Sequence, residues 1–250
     1  MISEAWLYSL LSVLAVSLIS FIGLLAFSIK IQSLKKILIY VVAFAAGAMF
    51  GGAFLHLLPE LIEKSGFTLN IPYLILFGIV LFFSLEKMVH WHHHHMHFGK
   101  EFTHPFAIMN LIGDGFHNFI DGLIIGVSYL ASVSTGIAVT MAILLHEIPQ
   151  EISDFGVLLH GGFTKRKALL FNFLSALSAV MGTIVALILS NYIENIQYFV
   201  IPIAIGGFIY VAGSDLIPEL HKEFGIKKAI LELSAFVLGI LVMAALLLLE

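Results

Sequence analysis

FAIMNLIGDGFHNFIDGLIIGVSYL (106–130) contains no Lys or Arg and, as a helix rising about 1.5 Å per residue, is long enough to cross the ~30 Å hydrocarbon core of a bilayer. It is not uniformly apolar. Asp114, His117, Asn118 and Asp121 stand at i, i+3, i+4 and i+7, spacings that share one helical face. The following stretch, AVTMAILLHEIPQEISDFGVLL (138–159), has the same character, with His146, Gln150 and Asp154 at i, i+4 and i+8 and Glu147 and Glu151 on the adjoining stripe.

The rest of the chain supplies the same solvent. Of 250 residues 60% are hydrophobic and 11% charged, against about 45–50% and about 25% in soluble domains. Twelve Lys plus Arg and sixteen Asp plus Glu cannot cover a water-facing surface of this size, so the bilayer is the expected solvent. Eight stretches of spanning length follow one another, at roughly 5–29, 37–59, 70–89, 105–130, 134–160, 167–190, 197–219 and 229–249. The expectation is an all-α membrane protein of eight transmembrane helices in one domain, residues 1–250. The N-terminal apolar run exceeds a signal-peptide core and is expected to be the first membrane helix.

Charge sets the orientation. With both termini outside, the inner segments hold Lys30, Lys35, Lys36, Lys87, Lys100, Lys165, Arg166, Lys167, Lys222, Lys227 and Lys228, leaving only Lys64 outside. That places the break EKMVHWHHHHMHFGKEFTHP (86–105) in the cytoplasm, as a His-rich loop over 90–104 between the third and fourth helices. Its seven histidines are expected to capture metal weakly and exchangeably. HLLPEL (56–61) and SDLIPEL (214–220) form a short internal repeat on helices that run in opposite directions, as in many secondary transporters.

Net charge is −4, and no basic face with interleaved aromatics exists to bind nucleic acid. The chain has no cysteine, so a metal site must use His, carboxylate or amide ligands. Each ionised acid near the bilayer centre costs about 2.5–3.5 kcal/mol, so Asp114, Asp121, Glu147, Glu151 and Asp154 together oppose insertion by on the order of 10 kcal/mol if uncompensated. A lone His or Asp could belong to an interhelical hydrogen-bond network. Two imidazoles beside five acids point instead to a bound divalent cation. Gly113, Gly115, Gly122 and Gly126 allow close helix approach, and Pro149 is expected to open a helix turn at the site by freeing the Leu145 carbonyl.

HNFIDG (117–122) and HEIPQEISDF (146–155) resemble the two signature stretches of ZIP (Zrt/Irt-like) transporters, in particular the branch whose fifth helix carries HExPHExxD. GGAFLHLLPE (51–60), LLFNFLSAL (169–177) and GGFIYVAGSDLIPEL (206–220) are similar to that branch too, so the resemblance covers nearly the whole chain. It implies a ZIP-like bundle with both termini outside, multi-pass in the plasma membrane, bringing Zn²⁺, Fe²⁺ or Mn²⁺ into the cytoplasm. It also implies metal ligands at His117, Asn118, Asp121, His146, Glu147 and Gln150, in two adjoining mid-membrane sites. The metal is cargo, with no catalytic cofactor and no enzyme activity. The partners implied are divalent cations and lipid, with a homodimer as the oligomeric expectation.

Gln150 departs from the family pattern, which has His or Glu there; its amide oxygen is neutral and weaker. Glu151 could substitute in part but points about 100° further round the helix. His56, Glu60, Asp215 and Glu219, toward helix ends, are weighed as anchors or pathway residues, and Asn172 and Ser175 as partners of the site. The rival reading is an intramembrane zinc protease, since HEIPQ has the outline of HExxH. Gln150 in place of the second His and Pro149 within the motif count against it. A metal sensor or store centred on the His-rich loop leaves the buried site unexplained.

Overall fold

A computed structural model describes residues 2–27, 31–95, 104–221 and 225–249. Those residues form helices joined by short turns, and no strand occurs among them. The elements are α1 (Ile2–Leu18), extended as a 3₁₀ helix over Ile19–Phe27; α2 (Ile31–Gly51); α3 (Leu58–Ser65); α4 (Asn70–His95); α5 (His104–Ala131); α6 (Val133–His160); α7 (Lys165–Ala176); α8 (Ser178–Leu189); α9 (Gln197–Tyr210); α10 (Ile217–Leu220); and α11 (Ile226–Leu246).

Six stretches among the described residues are long and apolar enough to cross a membrane: 4–23, 39–65, 70–87, 165–189, 197–214 and 226–246. They coincide with six of the eight expected spans. The other two are α5 and α6, each 28 residues and thus about 42 Å long, whose polar residues lower their hydropathy. The surface suits lipid: on α1, Leu7, Leu11, Leu14 and Leu18 are all exposed, while Ala43, Ala45, Ala46 and Ala48 of α2 are buried.

Three helix pairs are locked by reciprocal glycines. A Cβ on Gly47 of α2 would strike the Phe236 carbonyl oxygen of α11, and one on Gly239 would strike the Phe44 carbonyl oxygen of α2. Gly78 of α4 and Gly206 of α9 meet the carbonyls of Ile203 and Ile75 in the same way, and Gly122 of α5 and Gly182 of α8 meet those of Ala179 and Phe119. In every case the obstructing carbonyl lies three residues before the partner's glycine. Residue numbers rise together along each pair, as in Gly47 with Phe236 and Gly51 with Met243, so the paired helices run parallel.

Helices α5 and α6 form the opposite arrangement, an antiparallel hairpin turning at Ser132. Tyr129 lies against Gly136, His117 against His146, Asn110 against Asp154 and Ala107 against Gly161, pairs that open outward from the turn. Ser132 also caps α6, accepting a hydrogen bond from the Thr135 backbone N–H at 3.1 Å.

Three details differ from the sequence reading. Helix α6 runs unbroken through Pro149, so no turn opens there. The openings lie instead at the two repeat stretches, as π-helical turns over Gly52–Leu57 and Val211–Leu216. In each, the residue just before a proline bonds five residues back, Leu58 N–H to Ala53 O and Ile217 N–H to Ala212 O. Pro59 and Pro218 lack an N–H and crowd the carbonyl four residues earlier, which favours the wider turn. Finally, α4 continues as helix through His95 and α5 opens at His104, because no Gly or Pro interrupts 79–95. The rest of the expected His-rich loop, 96–103, lies outside the described residues.

Candidate metal centre

Four of the six residues expected as ligands converge between α5 and α6. His117, Asp121, His146 and Glu147 offer ligand atoms that all lie within 4.8 Å of one another. The two Nε2 atoms are 3.2 Å apart. Asp121 Oδ2 is 3.1 Å from His146 Nε2 and 3.6 Å from His117 Nε2, while Glu147 Oε1 is 3.4 Å and 3.5 Å from the same two atoms. Ligands at about 2.0–2.1 Å in a tetrahedron stand about 3.3–3.4 Å apart, and these five edges bracket that value.

The polar chemistry fits a cation as well as the spacing does. His146 Nδ1 lies 3.2 Å from the Ala142 carbonyl, so it donates there and leaves the Nε2 lone pair facing the centre. Asp121 Oδ2 and Glu147 Oε1 are buried without a hydrogen-bond partner, a costly state for carboxylate oxygens. Two carboxylates and two neutral imidazoles carry a charge of −2, which one divalent cation cancels. His146, Asp121 and Glu147 are at most 2% exposed, and Phe208 of α9 sets its ring edge-on to His146 at 6.4 Å.

The α5 half of the centre is held from α7 and α8. Besides the Gly122–Gly182 crossing, Ser175, Ser178 and Thr183 hydroxyls donate to the carbonyls of Leu111, Gly115 and Gly122 at 3.1, 2.6 and 2.8 Å. These hydroxyls fix the rotation of α5 and hence which stripe meets α6.

The family model described as ZIP Zinc transporter matches residues 3–106 and 103–247. The chain belongs to the ZIP zinc transporter family. Zinc transporter ZIP13 of Pongo abelii is 31% identical over 261 residues, covering 96% of this chain and 78% of the relative. Zinc transporter zipt-7.2 of Caenorhabditis elegans is 29% identical over 304 residues, 96% of this chain and 65% of the relative. Zinc transporter ZIP10 of Homo sapiens is 38% identical over 152 residues, 56% of this chain but only 18% of the relative. The chain thus spans under a fifth of the ZIP10 and ZIP6 relatives it matches. With family membership and a run of apolar helices, it is an integral, multi-pass membrane protein.

Within this ZIP chain the other two expected ligands are amides, Asn118 on α5 and Gln150 on α6. Asn118 is fully buried and donates from Nδ2 to Asp114 Oδ1 at 2.8 Å, leaving its own Oδ1 without a partner. Gln150 is half-buried on α6 with no hydrogen bond to the four. Glu151 does not take its place: it is buried and clamped by Asn172 of α7, which bonds its carboxylate and its backbone carbonyl. His56 is buried and bonded to the Met243 carbonyl at 2.8 Å. Glu60 accepts from Thr135 at 2.6 Å and pairs with Lys64 at 2.6 Å, so both act as anchors. Sequence reasoning missed the Ala142 carbonyl and the Ser178 and Thr183 hydroxyls. Ala142 was legible in principle, standing four residues before His146.

Proposed function

We propose that this chain carries divalent transition-metal cations, Zn²⁺ first, into the cytoplasm through a mid-membrane site formed by His117, Asp121, His146 and Glu147. The compact quartet, three of its side chains buried and two of its carboxylate oxygens unpartnered, is the observation that carries the reading. Asn118 and Gln150 offer amide oxygens for an adjoining, weaker position. Zn²⁺ leads by the affinity order of N/O sites, and Fe²⁺ and Mn²⁺ suit the same donors.

Eight spans with both termini outside, in the plasma membrane, complete the reading. Six apolar stretches and the long α5–α6 hairpin support this count, in which the parallel pairs α2–α11, α4–α9 and α5–α8 would be the second and eighth, third and seventh, and fourth and sixth spans. Alternating crossings make each of those pairs parallel. A protease reading has no support: Gln150 has no hydrogen bond to the quartet, and the carboxylate that a hydrolase would reserve as a base lies among the ligand atoms.

Uptake of Zn²⁺, Fe²⁺ and Mn²⁺ into proteoliposomes tests this, with wild type beside a His117→Ala, His146→Ala double variant. Saturable uptake lost in the variant supports the proposal. Inert wild type in folded, reconstituted form removes it.

A further inference from the structure

An ion pair on α3 holds the turn of the α5–α6 hairpin. Glu60 Oε2 accepts from the Thr135 hydroxyl at 2.6 Å and from the Ser132 hydroxyl at 3.3 Å, while Glu60 Oε1 lies 2.6 Å from Lys64 Nζ. Lys64 donates in turn to the Ala131 carbonyl. Ala131 is the last residue of α5 and Ser132 is the N-cap of α6. The carboxylate therefore stands at the positive N-terminal end of α6 and the ammonium at the negative C-terminal end of α5, so each charge suits the helix end it caps. Lys64 is also the single basic residue on the outer side in the charge-derived orientation.

The ion pair joins elements that are otherwise held to different neighbours. Helix α3 follows α2 through the π-helical turn Gly52–Leu57 and packs on α9, and it reaches the hairpin through these polar side chains. Glycine crossings lock α2 to α11 and α9 to α4, whereas α5 of the hairpin is locked to α8. Those crossings are backbone against backbone. Lys64 and Glu60, by contrast, are 38% and 16% exposed, so water can take over their hydrogen bonds when they part and the separation is cheap. The quartet lies deep beneath the turn, about 20 Å along α5 from Ala131 to His117, and His146, Asp121 and Glu147 are buried. A cation arriving from outside reaches them after a movement at this end of the hairpin.

We propose that Glu60 and Lys64 form a latch that closes the outer end of the α5–α6 hairpin against α3, and that the latch releases when metal enters from outside. This rests on the transport reading above and its orientation. The structure shows the latched state, with both charges spent on the hairpin turn.

The chain has no cysteine, so introduced thiols are the sole thiols present. In a Glu60→Cys, Thr135→Cys variant in proteoliposomes, a short reducible thiol cross-linker ties α3 to α6 at the latch. Zinc uptake is expected to fall to the protein-free background on cross-linking and to return on reduction, while a Thr135→Cys variant treated alike keeps its rate. Cross-linked protein that takes up zinc at the uncross-linked rate overturns the latch. A second measurement needs no transport. Ser128 on α5 is fully buried, four residues before the turn, and its hydroxyl has no hydrogen-bond partner, so Ser128→Cys is a mild reporter. Labelling of that thiol by a membrane-impermeant maleimide from outside is expected to quicken severalfold when Glu60→Gln or Lys64→Met is added. An unchanged labelling rate overturns the latch and leaves the transport reading standing. Folded, reconstituted wild type that takes up no metal overturns both.

Discussion

Gly122→Ala places one methyl group at the tightest crossing beside the metal centre, without touching a ligand. The new Cβ would stand 2.6 Å from the Ala179 carbonyl carbon and 2.8 Å from its Cα, and closer still to the carbonyl oxygen. Ordinary carbon contacts lie at about 3.5–4.0 Å, so α5 and α8 must part by about 1 Å. The obstacle is backbone, which cannot rotate away as a side chain could. Overpacking of this kind costs about 1–3 kcal/mol, and at about 2–4 °C per kcal/mol for a chain of this size the thermal midpoint falls by several degrees.

The larger effect is on function. Asp121 is the neighbouring residue and His117 lies five residues earlier, so a 1 Å shift of α5 moves both against His146 and Glu147, with edges across the two helices of 3.1–3.5 Å. Misplacement on that scale costs about 10²-fold in precisely placed sites. Zinc uptake into proteoliposomes and thermal unfolding in detergent are the assays. Gly156→Ala is the control, since a Cβ there meets nothing within 4 Å. Gly122→Ala matching Gly156→Ala in both assays would refute the coupling of the glycine crossing to the site.

Three further outcomes are expected. Zinc uptake falls as pH drops from 7.5 to 5, because protons compete with the metal for ligands that bind it only when deprotonated; a flat profile of initial rates contradicts imidazole ligation. Asn172→Ala strips the clamp from the buried Glu151 carboxylate and lowers stability by about 1–3 kcal/mol in thermal unfolding, and an unchanged midpoint denies the clamp any structural role. Deleting residues 90–97 leaves saturable uptake in place with an altered rate; abolished uptake would move the function into the His-rich segment.

Much of the fold was legible because a bilayer makes span length a hard constraint. The expected 105–130 and 134–160 became His104–Ala131 and Val133–His160, bounded by Pro105, Ser132 and Gly161. Backbone hydrogen-bond detail was not legible: the break at Leu177 between α7 and α8, and the π-turns before Pro59 and Pro218, depend on packing that hydropathy does not report. Pro149 shows the same limit from the other side, since a proline that could open a turn does not.

At the site, periodicity narrowed the candidates to two stripes, but His117 and Asp121 rather than Asp114 meet His146 and Glu147 because of how α5 is rotated. That rotation is set by Gly122, Gly182 and the Ser178 and Thr183 hydroxyls, contacts about sixty residues apart in sequence. On α6, Glu151 is turned toward Asn172 of α7, which bonds its carboxylate.

Zinc K-edge X-ray absorption on the full chain loaded with one equivalent of Zn²⁺ reads the quartet directly. The account predicts four N/O ligands at about 2.0 Å, two of them imidazoles, with the imidazole scattering lost in the His117→Ala, His146→Ala variant. Six oxygen ligands in the wild type, or an imidazole signal that survives both substitutions, would contradict it.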